Sequence, residues 1–558
     1  MHRWALSALL LPGSLACTGT VSLPTGPSDG PASGPERPGA PGTPGEPSDP
    51  GPAPRPPVCE AGEPPIVPRV ERLSFERYDR AVESWFGLDL ELSTSFGPET
   101  QGISGLLWSG LRDAAARVGE RVAADRLSAL PCQDDNAGCA EAIIRQVGRR
   151  LYRRPLTETE VGRYAALWAD RALLTPNDTF AEGVALLVEA MMSSPYTLHR
   201  VERSTAVQDG RIALDGFERA TRLAFGLWDA PPDDALLDAA AAGELATAEG
   251  LAAQVERMLS RPEGRTRSRA MVRRLARDWM GMEGAYAQFW NNTNRDPELF
   301  PEFEPGIDAS FREEMLRFVD GVVFAQEGSF QDLFGSPMTW VNGQLAPIYG
   351  LDAGDGGWRS VELDPSERPG LLTRAGFNGT HGRFGRGSLI FRGAFVLTKL
   401  LCRELGAPPA GADATPLPND AELLTTRDRV EAMTAGPACA GCHTTLINPA
   451  GFALEAFDGI GKYRASENGY PVDTSGSLRI DGELVSFSDA AGYSAAIGGA
   501  EEAHRCFLDR LGESTLGSPS CAEQDLVARM MAGAPLLEVI QDYVTRPTFL
   551  DRNLQEVP

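Results

Sequence analysis

Cys439-Ala440-Gly441-Cys442-His443 is the stretch of this chain whose residue types and spacing are best suited to chemistry. It reads C-x-x-C-H, the spacing used to attach a c-type haem. Two thiols separated by two residues can each form a thioether with one haem vinyl group. The adjacent imidazole then lies under the iron as an axial ligand. Cys439 and Cys442 are therefore expected to tether one covalent haem c, with His443 as the proximal iron ligand. The same residues also allow a redox-active or structural Cys439–Cys442 disulfide, or half of a zinc site. Zinc is disfavoured, because a structural site takes four Cys or His ligands and no second C-x-x-C or H-x-x-x-H is present. A thioredoxin-like motif would sit beside a βαβ pattern, which these flanks lack.

Covalent haem attachment takes place outside the cytoplasm, so export signals matter. Residues 1–17 open with Met1-His2-Arg3, continue with an apolar run from Trp4 to Leu11, and end on Ser14-Leu15-Ala16 before Cys17. This reads as a signal peptide, too short to span a bilayer. A cysteine after small residues points to lipid on Cys17. Ser14 stands where lipoprotein signals usually carry an aliphatic residue, and Ser14-x-Ala16 also suits ordinary signal peptidase. Thirteen prolines then occur between Pro24 and Pro57, a composition that cannot bury a core and forms an extended spacer. The expected location is extracytoplasmic: a periplasmic or outer-membrane lipoprotein held to the membrane by its lipid alone, open to exposure at the cell surface.

The net charge of −25 argues against nucleic acid, whose phosphates need a basic face. It equally disfavours adhesion to anionic lipid. An acidic surface could steer a cationic redox partner protein, or serve solubility alone. Nothing in the sequence specifies a small-molecule or polysaccharide substrate. Of the nine cysteines, Cys17 is assigned to lipid and two to haem, which leaves an even six. Cys132 with Cys139, and Cys506 with Cys521, are close enough in sequence to staple local loops. Cys59 and Cys402 would then pair across the chain. Spacing alone does not settle this connectivity.

The elements that must position the motif are mostly helical. Thr157 and Glu160 form a capping-box pattern ahead of an apolar face through Val161, Tyr164 and Trp168. Asp215 and Glu218 repeat the signal. A helix is expected over Ile307–Phe324, with Phe311, Met315, Phe318 and Val322 in line, and another over Ser388–Cys402. Leu478–Val485 reads as a β-hairpin turning on Asp481-Gly482. From Ala522 to Arg552 the tail is helical again. The fold class is mainly α: a multi-domain helical protein with a small β-hairpin, to which the resemblance described next adds, as an implication, a cytochrome-c-like C-terminal region.

Several motifs together carry a family resemblance. They include Gly148–Thr157 (GRRLYRRPLT), Ala220-Thr221-Arg222-Leu223 with Leu227-Trp228, and Trp340-Val341-Asn342. Arg392-Gly393 belongs with them, as does the C-x-x-C-H followed by Asn448-Pro449 and Gly451-Phe452-Ala453-Leu454-Glu455. With these the chain resembles the large exported proteins of planctomycetes and myxobacteria built from domains of unknown function 1587, 1595, 1592, 1588 and 1585. The resemblance covers nearly everything after the spacer. With the signal peptide over 1–17 and the spacer over 18–64, it implies helical domains over 65–130, 131–202 and 203–352, a haem-motif domain over 366–465, and a C-terminal domain over 466–558. The chain departs from the family where Asn448 replaces the usual Asp before Pro449, where Leu389 follows Ser388, and at Arg510–Glu513. A histidine common in the family aligns with Met433. Ten residues span up to ~33 Å when extended, enough to cross a haem plane, so Met433 is a candidate sixth iron ligand beside its reading as ordinary packing. His381 is a second candidate, while His504 and His199 are better explained as structural. The loop Leu446–Pro449 is placed to offer His443 Nδ1 a carbonyl or carboxylate partner, beside its plainer role as a Pro-set turn. For Glu455 and Asp458, helix capping or surface solvation is the simpler role.

Two function classes follow. One is an electron carrier or haem-bearing oxidoreductase component at the cell surface; the other is a surface binding or scaffold protein whose haem is structural or absent. Haem-dependent peroxidase chemistry would need an open distal site and a polar residue such as His381 or Arg383. No Ser-His-Asp ordering, G-x-S-x-G, H-E-x-x-H or P-loop is present, so whether the chain is an enzyme is left open.

Overall fold

The helix-start signals in the sequence become caps in the computed structural model, which describes residues 64–97, 102–283, 287–290, 295–383, 386–406, 424–520 and 523–554. Thr157 accepts from the Glu160 amide at 3.3 Å, and Glu160 accepts in return from the Thr157 amide at 2.8 Å, which starts the helix Glu158–Ala169. Asp215 and Glu218 form the same reciprocal pair ahead of Gly216–Leu227. Each box satisfies two amides that a helix start otherwise leaves bare. With 58% of the described residues in helix and 9% in strand, the fold is mainly α.

The described residues belong to one unit. Helices Phe75–Phe86, Gly105–Asp125, Ala137–Tyr152, Glu158–Ala169 and Phe180–Met192 share one hydrophobic core that runs from Leu73 to Leu198 and takes in Phe225. A second, larger core runs from Ala220 to Leu550 and takes in Val67. Most buried residues of 65–202 share the first interior and most of those from 203 onward the second, with Val67 and Phe225 crossing between them. Asp229 ties the two together. It is fully buried and receives Arg77 at 2.6 Å and Arg80 from the helix Phe75–Phe86, with Arg274 of the helix Pro262–Trp279 at 2.9 Å. Although burial opposes it, the three guanidiniums hold the Asp229 carboxyl below its usual range.

Two long helices end differently from their sequence expectation. The helix over Ile307–Asp320 widens into a π turn over Gly321–Ala325, and Leu389–Phe395 widens into one over Val396–Leu400. Strands are short and antiparallel. The hairpin Gly476–Ile480 with Glu483–Phe487 turns on Asp481-Gly482 as expected, with φ of 51° and 84°, the twin left-handed conformations a tight two-residue turn requires. The tail is helical over Gln524–Met531 and Leu536–Thr545, then returns as a strand, Asp551–Arg552, beside Arg211–Ala213. Among the described residues no helix is long and apolar enough to cross a membrane.

Candidate functional site

The C-x-x-C-H motif sits on a nearly unbroken helical run. Pro437 opens the helix Pro437–Cys442; a π turn, His443–Ile447, follows directly, and the helix Asn448–Phe452 continues from it. The run is anchored by its C-terminal half. Ile447, Ala450, Ala453 and Leu454 enter the large core. Two glycines allow the backbone of Leu389–Phe395 to lie directly against it. A Cβ on Gly393 would come within 2.1 Å of the Ile447 carbonyl, and one on Gly451 within 2.0 Å of the Leu389 carbonyl. No side chain fits at either place, a physical reason for the glycine of both sequence motifs.

The chemical groups face outward from this anchor. Cys442 is exposed and Cys439 half-buried, and both thiols are free. The alternative Cys439–Cys442 disulfide is therefore not formed here. On a helical turn, residues three apart share a face, so the two thiols emerge on the same side. His443 is half-buried, and its Nδ1 lies 3.0 Å from Asn448 Oδ1. The segment Leu446–Pro449, expected as a loop, is helical, and the carbonyl it supplies is that of the Asn448 side chain. His443 Nε2 has no hydrogen-bond partner among the described residues. Two free thiols and one imidazole with its far nitrogen engaged are a donor set that fits a covalently attached haem. The zinc alternative gains no support, since no group of three or more Cys, His, Asp or Glu side chains among the described residues is placed to hold a metal ion.

Arg392 holds the segment after the motif, a role the Arg-Gly pair in the sequence signalled only as a pattern. It is fully buried and donates to the carbonyls of Leu454 and Phe457 at 2.9 and 2.6 Å, and to those of Asn378 and Asp458 at 2.9 and 2.6 Å. Burial lowers its pKa to about 9, with the Asp458 charge opposing. Asp458 in turn caps its own loop, accepting from the Ile460 and Lys462 amides at 2.9 Å each. Glu455 is a cap as well, but a buried one. At 1% exposure it accepts from the Arg427 amide at 2.9 Å, beside Glu467, which accepts from the Thr426 amide at 2.6 Å. Both carboxylates thereby hold the start of the helix Thr426–Thr434. Burial pushes the Glu455 carboxyl up to about 7; the Arg427 amide opposes this, and the Glu467 charge adds to it.

The remaining sequence candidates fall in varied places. Met433 is half-buried on the last turn of Thr426–Thr434, the helix whose Thr434 touches Asn448. His381 is 2% exposed, its Nδ1 at 2.8 Å from the Phe377 carbonyl and its ring packed among Trp290, Phe377 and Phe395. Burial lowers its pKa to about 4, so the ring is neutral. His504 is fully buried against Phe330, and His199 lies in the strand His199–Val201. The Arg383 side chain lies outside the described residues.

One pairing of cysteines is corrected. Cys132–Cys139 forms as expected, but Cys402 bonds Cys506, replacing the expected Cys506–Cys521 and Cys59–Cys402 pairs. The sequence separation of 104 hides that the π turn Val396–Leu400 and the helix Glu501–Leu516 pack together; Cys506 also lies 3.3 Å from the Lys399 carbonyl. Cys17, Cys59 and Cys521 lie outside the described residues.

Three family models match the chain. PSD5, described as a protein of unknown function (DUF1595), matches residues 139–202; PSD4 (DUF1592) matches 214–351; PSCyt3 (DUF1588) matches 368–467 and so contains the C-x-x-C-H motif. The short name of the last hints at a cytochrome-like domain. No curated protein and no solved structure matches the chain. On these three matches, which follow one another in the order its motifs predicted, the chain belongs to the multi-domain family assembled from these domains of unknown function.

Proposed function

We propose that this is an exported, lipid-anchored protein carrying one c-type haem, acting in electron transfer or as the haem-bearing component of an oxidoreductase at the cell surface. The observation that carries this reading is the donor set: two unbonded thiols on one helical turn, followed by an imidazole whose Nδ1 is held by Asn448. Cys439 and Cys442 would each add S–H across a vinyl group, forming a C–S bond while the proton passes to the other vinyl carbon, with no net electron transfer. His443 would ligate through Nε2. Haem bound there supplies one-electron exchange. The chain's own contribution is placement: Gly393 and Gly451 seat the motif helix, Arg392 fixes the segment behind it, and Asn448 orients the ring. Met433 would offer its thioether as a second iron donor, and a His/Met donor pair would raise the potential. Lipid on Cys17 would keep the site at the membrane, where a cationic redox partner could approach the acidic surface.

The test is co-expression of the full chain with a haem-attachment system, followed by haem staining of the denatured protein and a visible redox titration. A covalent, reversible six-coordinate couple, lost in a C439S/C442S variant, is expected. Met433→Ala should change the reduced spectrum. Absence of covalent haem in the wild-type chain would overturn the reading and leave a surface binding or scaffold protein.

A further inference from the structure

Resting on the proposal that His443 ligates iron, we infer that Asn448 is a positioning residue that sets the tautomer and donor strength of His443, and that it is itself oriented by Thr434. The inference comes from a chain of hydrogen bonds in which each donor fixes the next. Thr434 Oγ1 donates its single proton to the Val430 carbonyl at 2.7 Å, with the Glu431 carbonyl at 3.5 Å sharing the same direction. The hydroxyl therefore has only lone pairs to offer Asn448. Asn448 Nδ2 donates to it at 2.8 Å, which turns Oδ1 toward His443 Nδ1 at 3.0 Å. An amide oxygen only accepts, so the proton of the neutral ring is on Nδ1 and the lone pair is on Nε2.

The opposite amide orientation would leave Asn448 Oδ1 facing a hydroxyl whose proton is committed. Thr434 and Asn448 are each only 3% exposed. An unmade hydrogen bond in such a site disfavours that orientation roughly ten- to a hundredfold. Backbone geometry makes the contact. In an α-helix, residues five apart lie about 140° from one another around the axis. The wider π turn His443–Ile447, closed by the Asn448 amide on the His443 carbonyl, brings the two side chains onto one face. The π turn thereby pairs His443 with Asn448 while the Cys442 thiol stays exposed and the Cys439 thiol half-buried.

The consequence is a ligand presented ready-made, its Nε2 lone pair directed away from the protein's own hydrogen bonds, with a neutral rather than anionic acceptor behind it. A carboxylate at the same place would draw the Nδ1 proton more strongly, make the ring a stronger donor and favour ferric iron.

Two measurements on the full chain test this separately from haem attachment. The first is nitrogen NMR of ring-labelled histidine in the haem-free protein, at a pH where the ring is neutral; a His443→Gln variant identifies the signal among the five histidines. The wild-type His443 ring is expected in the Nδ1–H form, and Thr434→Val and Asn448→Leu should convert it to a mixture. A wild-type ring in the Nε2–H form, or one unchanged in both variants, overturns the inference whether or not haem is ever attached. The second is redox titration of the haem-loaded Asn448→Asp variant, with the loaded Thr434→Val variant alongside it. Asn448→Asp is expected to retain haem and to shift the ferric/ferrous equilibrium about tenfold toward ferric, some 59 mV lower in potential. Thr434→Val should broaden the couple or shift it less. An unchanged potential in both loaded variants overturns the inference, while failure of the wild type to take haem defeats the proposed function and leaves the NMR result to judge this one.

Discussion

Replacing Glu455 by Gln should remove a pH dependence that the fold imposes on the motif region. Glu455 is 1% exposed and accepts through Oε1 from the Arg427 amide, while its buried Oε2 has no partner among the described residues. Burial raises its pKa from 4.5 to about 7; the Arg427 amide and the charges of Arg464 and Arg427 oppose the rise, and Glu467 adds to it. In the folded state the group holds a proton that the unfolded chain releases at lower pH. Where the native state binds more protons, stability falls with rising pH. The contribution is therefore fully present below about pH 4.5 and is lost as pH climbs through about 7. A difference of roughly 2.5 pH units at 1.36 kcal/mol each amounts to about 3 kcal/mol. Gln, isosteric and uncharged, keeps the Arg427 contact and does not titrate. Urea denaturation of both proteins from pH 4.5 to 8, followed by circular dichroism, should show the wild type losing about 3 kcal/mol relative to Glu455→Gln across that window. Parallel pH profiles would refute the reasoning.

Other expectations follow from the joints between elements. Asp229→Ala should cost about 3–5 kcal/mol, because it strands the guanidiniums of Arg77, Arg80 and Arg274 between the two cores. A thermal scan showing less than about 1 kcal/mol lost would mean those arginines find other partners. The two disulfides should differ in weight. Loss of Cys402–Cys506, which closes a separation of 104 residues, is expected to cost about 4–5 kcal/mol, against about 2–3 kcal/mol for Cys132–Cys139 with its separation of 7. Denaturation of the paired Cys→Ser variants checks the order, and equal losses would contradict the loop-closure argument.

Much of this fold was legible because it is local. A capping box needs only two side chains three residues apart, so Thr157 with Glu160 and Asp215 with Glu218 declare their helices directly. The Asp481-Gly482 turn closes its hairpin with left-handed backbone that those two residue types tolerate. The C-x-x-C-H motif is likewise a single helical turn, and its thiols and imidazole were named from spacing alone. The helices expected over Ile307–Phe324 and Ser388–Cys402 were right in place but not in register at their ends, because apolar periodicity does not reveal where a helix widens into a π turn.

What the tertiary structure alone decided are the contacts made across long stretches of chain. Cys402 found Cys506 and not a nearer thiol because two distant elements pack side by side, which no cysteine spacing encodes. Arg392 was visible as one half of an Arg-Gly pair, yet its four carbonyl partners lie 14 to 66 residues away and meet only once the helix Leu389–Phe395 lies on the motif. His381 looked like a ligand by residue type, and burial among three aromatic rings gives it a packing role instead. His443 and Asn448 show both levels at once. The sequence by itself placed an imidazole next to two thiols; the π turn and the buried Thr434 hydroxyl determined which of its nitrogens is left to bind, since the direction of a hydrogen bond depends on what its neighbours have already donated.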